Sequence, residues 1–119
     1  MSHLDFSFIT QVFPSDLLTD FTLTDYKLLC DVDSKEEFYE IYFDEKNVLP
    51  CDVDAMEYES KGFDTVKRIQ DFAIRGRAVF LNIRKRIWRH KESRKILKRP
   101  YSFTANGAKM TQELSDFLK

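Results

Sequence analysis

The chain has 119 residues, 43% of them hydrophobic with eleven Phe, and a formal net charge of −1. That is the size of one domain with enough apolar mass for a core, and its aromatic content argues against disorder over most of its length. No run of about eighteen apolar residues is present, so no membrane-spanning helix is expected; the start, MSHLDFSFIT, has no cationic stretch before an apolar block, so no secretory signal is expected and the chain is read as cytoplasmic.

From the N-terminus, Ser2 can cap a first helix with Asp5 three residues on, and Leu4, Phe8 and Val12 share its apolar face. Pro14 ends that helix or opens the next turn. Ser15 and Asp16 then start a short helical turn through Leu17, Leu18 and Phe21. Thr22 to Val32 alternates as a strand, with Tyr26, Leu28, Cys30 and Val32 on one face. A polar turn at residues 33–36 leads into a second strand, Phe38 to Phe43 (FYEIYF), so the two form a hairpin. Tyr39 and Tyr42 sit among acids and are read as core and rim residues rather than a platform for stacked bases.

Residues 44–60 are acidic and irregular and are read as a solvated linker, with Pro50 marking a loop. Their carboxylates do not match the spacing of an EF-hand loop. Cys30 and Cys51 lie 21 positions apart with no CxxC, and His3 and His90 are the only other soft ligands, so no metal site is expected and two free thiols are favoured over a disulfide.

From Gly62 the character changes. Phe63 to Phe72 is predicted as a third strand, residues 74–77 as a tight turn using Gly76, and Ala78 to Arg89 as the longest strand. Residues 90–94 form a polar turn, and Lys95 to Phe103 returns as a fifth strand, with Pro100 marking an edge or bulge. Residues 104–109 are a loop holding Gly107. Thr111 then caps a last helix bearing Met110, Leu114, Phe117 and Leu118, with Glu113 near its positive end. The expected fold class is α+β: about five mostly antiparallel strands in meander hairpins, with short N-terminal helices and a C-terminal helix, in a single domain over residues 1–119.

The charge is strongly polarised. Residues 1–60 hold fifteen acids and three bases; residues 61–119 hold sixteen bases and five acids. The excess concentrates between Lys67 and Arg99, where thirteen Lys or Arg face only Asp71 and Glu92. Either the halves neutralise each other within one fold, or the basic half faces an anionic partner. Val79, Leu81, Ile83 and Ile87 alternate, so one face can bury while the other carries Arg84, Arg86 and Trp88 and Lys85 leans inward. The hairpin 77–103 then reads as a two-stranded basic ribbon, of a width that fits the major groove. An ordinary solvated sheet face is the competing reading.

No nucleophile elbow, Walker loop, HExxH or GxGxxG is present, and His90 has no evident carboxylate relay, so no enzyme activity and no cofactor are expected.

Three segments carry a family resemblance: Ser60-Lys61-Gly62-Phe63, the run from Ile69 (IQDFAIRGRAVFLNIRKRIW) to Trp88, and Ala105 to Glu113 with Phe117-Leu118-Lys119. They resemble the N-terminal region of bacterial insertion-sequence transposases, and Phe13-Pro14 and Glu45 to Pro50 fit the subgroup in which this region is a free-standing reading frame. In that family the region is zinc-ribbon-like, binds DNA, and precedes a helix-turn-helix and a DDE catalytic domain. Here Arg89-His90-Lys91-Glu92-Ser93 stands where zinc-binding members carry cysteines, so the resemblance implies a sheet that has lost its metal. The helix-turn-helix and catalytic acids would lie beyond Lys119. The resemblance therefore implies a DNA-end recognition or accessory module without transposase activity.

The expected partner is double-stranded DNA, such as transposon ends, with no membrane. Arg75, Arg77, Arg84, Arg86, Trp88, Arg89, Lys91, Arg94, Lys95, Lys98 and Arg99 are the candidate contacts, with Lys and Arg on phosphates. The alternative is a protein-interaction module that docks on the transposase catalytic chain without touching DNA. A continuous, uncovered basic face favours DNA. Acids of residues 31–59 paired across the ribbon favour the interaction reading. The sequence leaves the oligomeric state open.

Overall fold

In a computed structural model, residues 11–101 and 109–118 are described, apart from the side chain of Asp16. The fold is α+β. Helix α1 (Ser15–Asp20) leads into β1 (Phe21–Cys30) and β2 (Glu37–Glu45). After a 3-10 turn at Ala55–Glu57 come β3 (Tyr58–Phe63), β4 (Lys67–Ile74), β5 (Arg77–Arg84), β6 (Arg86–His90) and the two-residue β7 (Ile96–Leu97). Helix α2 (Gln112–Leu118) follows. The expected helix at residues 2–12 and the loop at 104–109 fall largely outside the described residues. No described helix is long and apolar enough to cross a membrane.

The strands form two sheets. The larger has the order β1-β2-β5-β4, and the smaller β3-β6-β7. β1 and β2 are the antiparallel hairpin expected, but β2 also pairs with β5 in parallel, from Phe38↔Ala78 to Asp44↔Arg84. A parallel pair needs a long crossover, supplied here by everything from Lys46 to Gly76. The acidic and basic halves therefore share one sheet.

Several sequence expectations need correction. Among the described residues seven strands are present, where about five are expected. The linker assigned to 44–60 ends in a 3-10 turn and the start of β3, and the predicted strand Phe63 to Phe72 is the end of one strand and most of another, separated at 64–66. The long strand 78–89 breaks at Lys85, where the chain leaves the larger sheet for the smaller. Of the returning strand 95–103, Ile96–Leu97 is the part that is strand among the described residues. The basic hairpin is thus no free ribbon: β5 lies in the middle of a four-stranded sheet.

The core lies on one face of the larger sheet. Odd positions of β2, β4 and β5 (Ile41, Phe43, Ile69, Val79, Leu81 and Ile83) bury against Phe13, Leu17 and Phe21. The alternation read in the sequence for Val79, Leu81 and Ile83 is the reason they share that face. On the same face of β4, the buried Asp71 carboxylate accepts the Thr111 hydroxyl at 2.9 Å, while Thr111 Oγ1 caps α2 by accepting the Leu114 N–H at 3.3 Å. The cap predicted at Thr111 also ties the last helix to the sheet. Leu114 is buried, but Phe117 is 71% exposed and meets only the rim, through Phe72.

Two turns share one design. Asp31 Oδ1 accepts the N–H groups of Asp33 and Ser34, and Lys35 follows at φ 63°. His90 Nδ1 accepts those of Glu92 and Ser93, and Arg94 follows at φ 64°. In each, a side-chain acceptor at the turn's first residue holds two amides, and the fifth residue takes the left-handed conformation that reverses the chain. The first tip is acidic and the second basic.

Candidate nucleic-acid interface

The even face of the larger sheet is where the predicted DNA face should lie, and there its arginines are occupied. Arg84 makes a two-pronged bond to Asp44 directly across the β2–β5 register, at 2.8 and 2.7 Å. Arg68 reaches from β4 over the Phe80 ring, 3.7 Å from its centroid, and binds both Glu40 oxygens at 2.7–3.1 Å. Asn82 donates to the same carboxylate at 2.8 Å. A planar guanidinium suits both the carboxylate fork and the aromatic face.

Burial is the largest single influence on Glu40 and pushes its carboxyl up. The bonds from Arg68 and Asn82, with the Arg68 charge, together outweigh it, so the group sits below the usual carboxylate range. A carboxyl lowered in the folded state gives stability that is present above its unfolded value and lost as pH falls through the folded one. Replacing Arg68 with Gln should therefore cost about 1 kcal/mol at pH 7, the bonds being partly exposed. In chemical denaturation at pH 7 and pH 3, the gap between wild type and variant should narrow in acid; a gap that stays constant would remove the ion pair as its cause. Asp71 runs the other way. Burial raises its carboxyl, so its contribution is present at low pH and lost as pH rises through the folded value.

Arg86 and Trp88 also differ from expectation. Arg86 donates from its side chain to the Glu45 carbonyl at 3.0 Å and lies over Phe63, which Arg84 also covers. Trp88, expected on the open face, is 1% exposed, and its indole N–H donates to Asn47 Oδ1 at 2.9 Å. The break at Lys85 is the physical reason: parity counted from β5 does not carry into a strand of a different sheet. Lys85 itself is half-buried at the junction, and burial lowers its amine.

At the far end of the larger sheet, Arg77 binds Glu37 at 3.1 Å. Arg75, at φ 53° in the predicted turn, is exposed beside it; both line a cleft of about 780 Å³ together with the acidic turn at 31–37. Arg99 is 3.6 Å from Asp20 and donates to the Val48 carbonyl, and Lys98 binds Asp64 at 2.8 Å. The acids are thus paired across β5, the pattern set out above for the interaction reading.

The smaller sheet keeps a surplus. Residues 57–64 and 86–99 hold eight Lys or Arg against four acids. Glu59 engages both Arg89, at 2.9 Å, and Arg94, at 3.4 Å, so one carboxylate serves two guanidiniums. Lys91 and Lys95 are exposed at the basic hairpin tip, and Lys61 is exposed on β3; among the described residues none of the three makes an ion pair within 4 Å, although the Lys91 charge also acts on Glu59. Lys61 escaped the sequence reading because it sits at a bulge: the β3–β6 register shifts between Ser60 and Gly62, and Gly62 takes φ 96°. The Lys-Gly pair was the available signal.

Of the predicted contacts, Lys91, Arg94 and Lys95 come together at this tip, with Arg89 next to them. Arg75, Arg77 and Arg84 lie on the other sheet, and Trp88 is interior. Among the described residues no three His, Cys, Asp or Glu side chains converge as a metal site, and both cysteines are free and exposed. Comparison with protein-family models, curated proteins and solved structures finds no match to this chain.

Proposed function

We propose that this chain is a non-catalytic accessory module of an insertion-sequence transposase that contacts the DNA backbone through its smaller sheet and basic hairpin tip. The supporting observation is the division of charge. The larger sheet's arginines hold carboxylates, whereas Lys61 and Lys95 stand exposed without an ion pair and Lys91 acts only through its charge on a Glu59 already bonded to Arg89 and Arg94. Lysines in this state attract phosphate as point charges and release counterions on contact. The contact surface is thereby moved from β5 to β3, β6 and the tip at 91–95.

Fluorescence anisotropy with duplex DNA at several salt concentrations tests this. About four phosphate contacts give a slope of roughly −3 to −4 in log affinity against log salt. The double variant Lys91→Ala/Lys95→Ala should flatten that slope by about two, while Arg84→Gln should leave it unchanged. A preference for the repeats flanking the gene would support end recognition.

A second reading is a module that docks on a transposase catalytic chain without binding DNA. The ion-pair ladder across β2, β5 and β4 favours it, because it withdraws Arg68 and Arg84 from phosphate. Absence of binding even at low salt would select it over the first.

A further inference from the structure

β1 is an edge strand of ten residues, and no described strand pairs with its outer side. Tyr26 is 53%, Leu28 44% and Leu29 40% exposed along it. A long edge with apolar side chains and open backbone groups is a template for another strand. A bulge at Thr24 bends its start, but pairing to β2 is regular from Asp25 to Cys30.

The charges on β1 say which strand fits. When two identical strands pair antiparallel about a two-fold axis normal to the sheet, residues of equal parity meet, because side chains alternate between faces. Centred on Asp25 or on Lys27, a like charge meets itself. Centred on Leu28, Asp25 meets Asp31 of the other copy. Centred on Tyr26, Asp25 meets Lys27 twice and the tyrosines face each other at the axis, and the bulge at Thr24 confines the regular ladder to Asp25–Lys27 of each copy. Like charges directly opposite destabilise a strand pair and opposite charges stabilise it.

We propose that this edge is a self-association site, in which β1 pairs with β1 of a second copy about Tyr26 to join two four-stranded sheets into one of eight. The pairing is independent of DNA binding. Lysine on an edge ordinarily guards it; here Lys27, which also lies 5.4 Å from the Tyr42 ring centroid, finds an aspartate at the mirrored position.

Sedimentation of the full chain across micromolar to submillimolar concentrations tests the proposal. The mass should rise toward twice 14.2 kDa. Asp25→Lys and Lys27→Asp should each weaken dimerisation by about tenfold or more, and the double reversal should restore it. In a Cys30→Ser/Cys51→Ser background, Tyr26→Cys should cross-link two chains in air, since directly opposed residues lie about 4.5–5.5 Å apart at Cα, within disulfide reach. Lys27→Cys should not. A monomer at every concentration, or a dimer indifferent to both reversals, overturns the proposal. If the reversed chains lose their circular-dichroism spectrum, the cysteine pair decides alone, and Tyr26→Cys that fails to cross-link overturns it.

Discussion

Trp88→Ala is expected to destabilise the protein by about 3–5 kcal/mol, the range for emptying the site of a large buried aromatic. Trp88 is the largest fully buried side chain. It sits in β6 between β3 and β7, and its N–H holds Asn47 in the crossover between the sheets. Its loss removes packing from the smaller sheet and leaves the Asn47 carbonyl without its donor. Urea denaturation measures the change. Trp88→Phe keeps most of the packing, loses the bond, and should cost about 1–3 kcal/mol. A loss under 1 kcal/mol for the alanine variant would return Trp88 to the open face, where it could stack on a base.

The second large effect is expected at Glu45, where alanine should cost about 3–5 kcal/mol. The carboxylate is 1% exposed, accepts the backbone N–H of Arg86 at 2.8 Å and the Tyr101 hydroxyl, and is the stronger of the two negative charges, with Asp64, that favour the charged form of the half-buried Lys85. Removing it leaves Lys85, beside Lys67 and Lys98, with Asp64 as its remaining counter-charge. Burial, and next the bond to Glu45, push the Tyr101 phenol upward, so Tyr101 keeps the proton that it donates to Glu45. Glu45→Gln keeps an acceptor oxygen and should cost about 1–2 kcal/mol. Equal losses for Gln and Ala would show that the charge, rather than the bonds, holds the junction.

Local signals in the sequence carried the local structure. The FYEIYF strand, the Arg-Gly turn, the polar tip at 90–94 and the Thr111 cap each depend on a few neighbouring residues, and each stands where expected, β2 extending slightly beyond its motif. What depends on distant pairing was not legible. Nothing in Phe38 to Phe43 says that its second neighbour is β5, in parallel, forty residues on. The break at Lys85 leaves no glycine or proline to mark it, yet it reverses the burial of Trp88. Charge asymmetry left open whether the halves neutralise each other or the basic half faces an anionic partner; only the β2–β5 register shows Asp44 against Arg84. The candidate site was half legible: the tip lysines follow from composition, while Lys61 depends on a bulge and the occupied arginines on topology.

The most direct measurement is a backbone amide NMR spectrum of the labelled chain titrated with duplex DNA at low salt. Shifts concentrated at Lys61 and from Arg89 to Lys95, with β2 and β5 unmoved, are the predicted result. Shifts along the even face of β5, or none anywhere, would contradict the assignment of DNA contact to the smaller sheet.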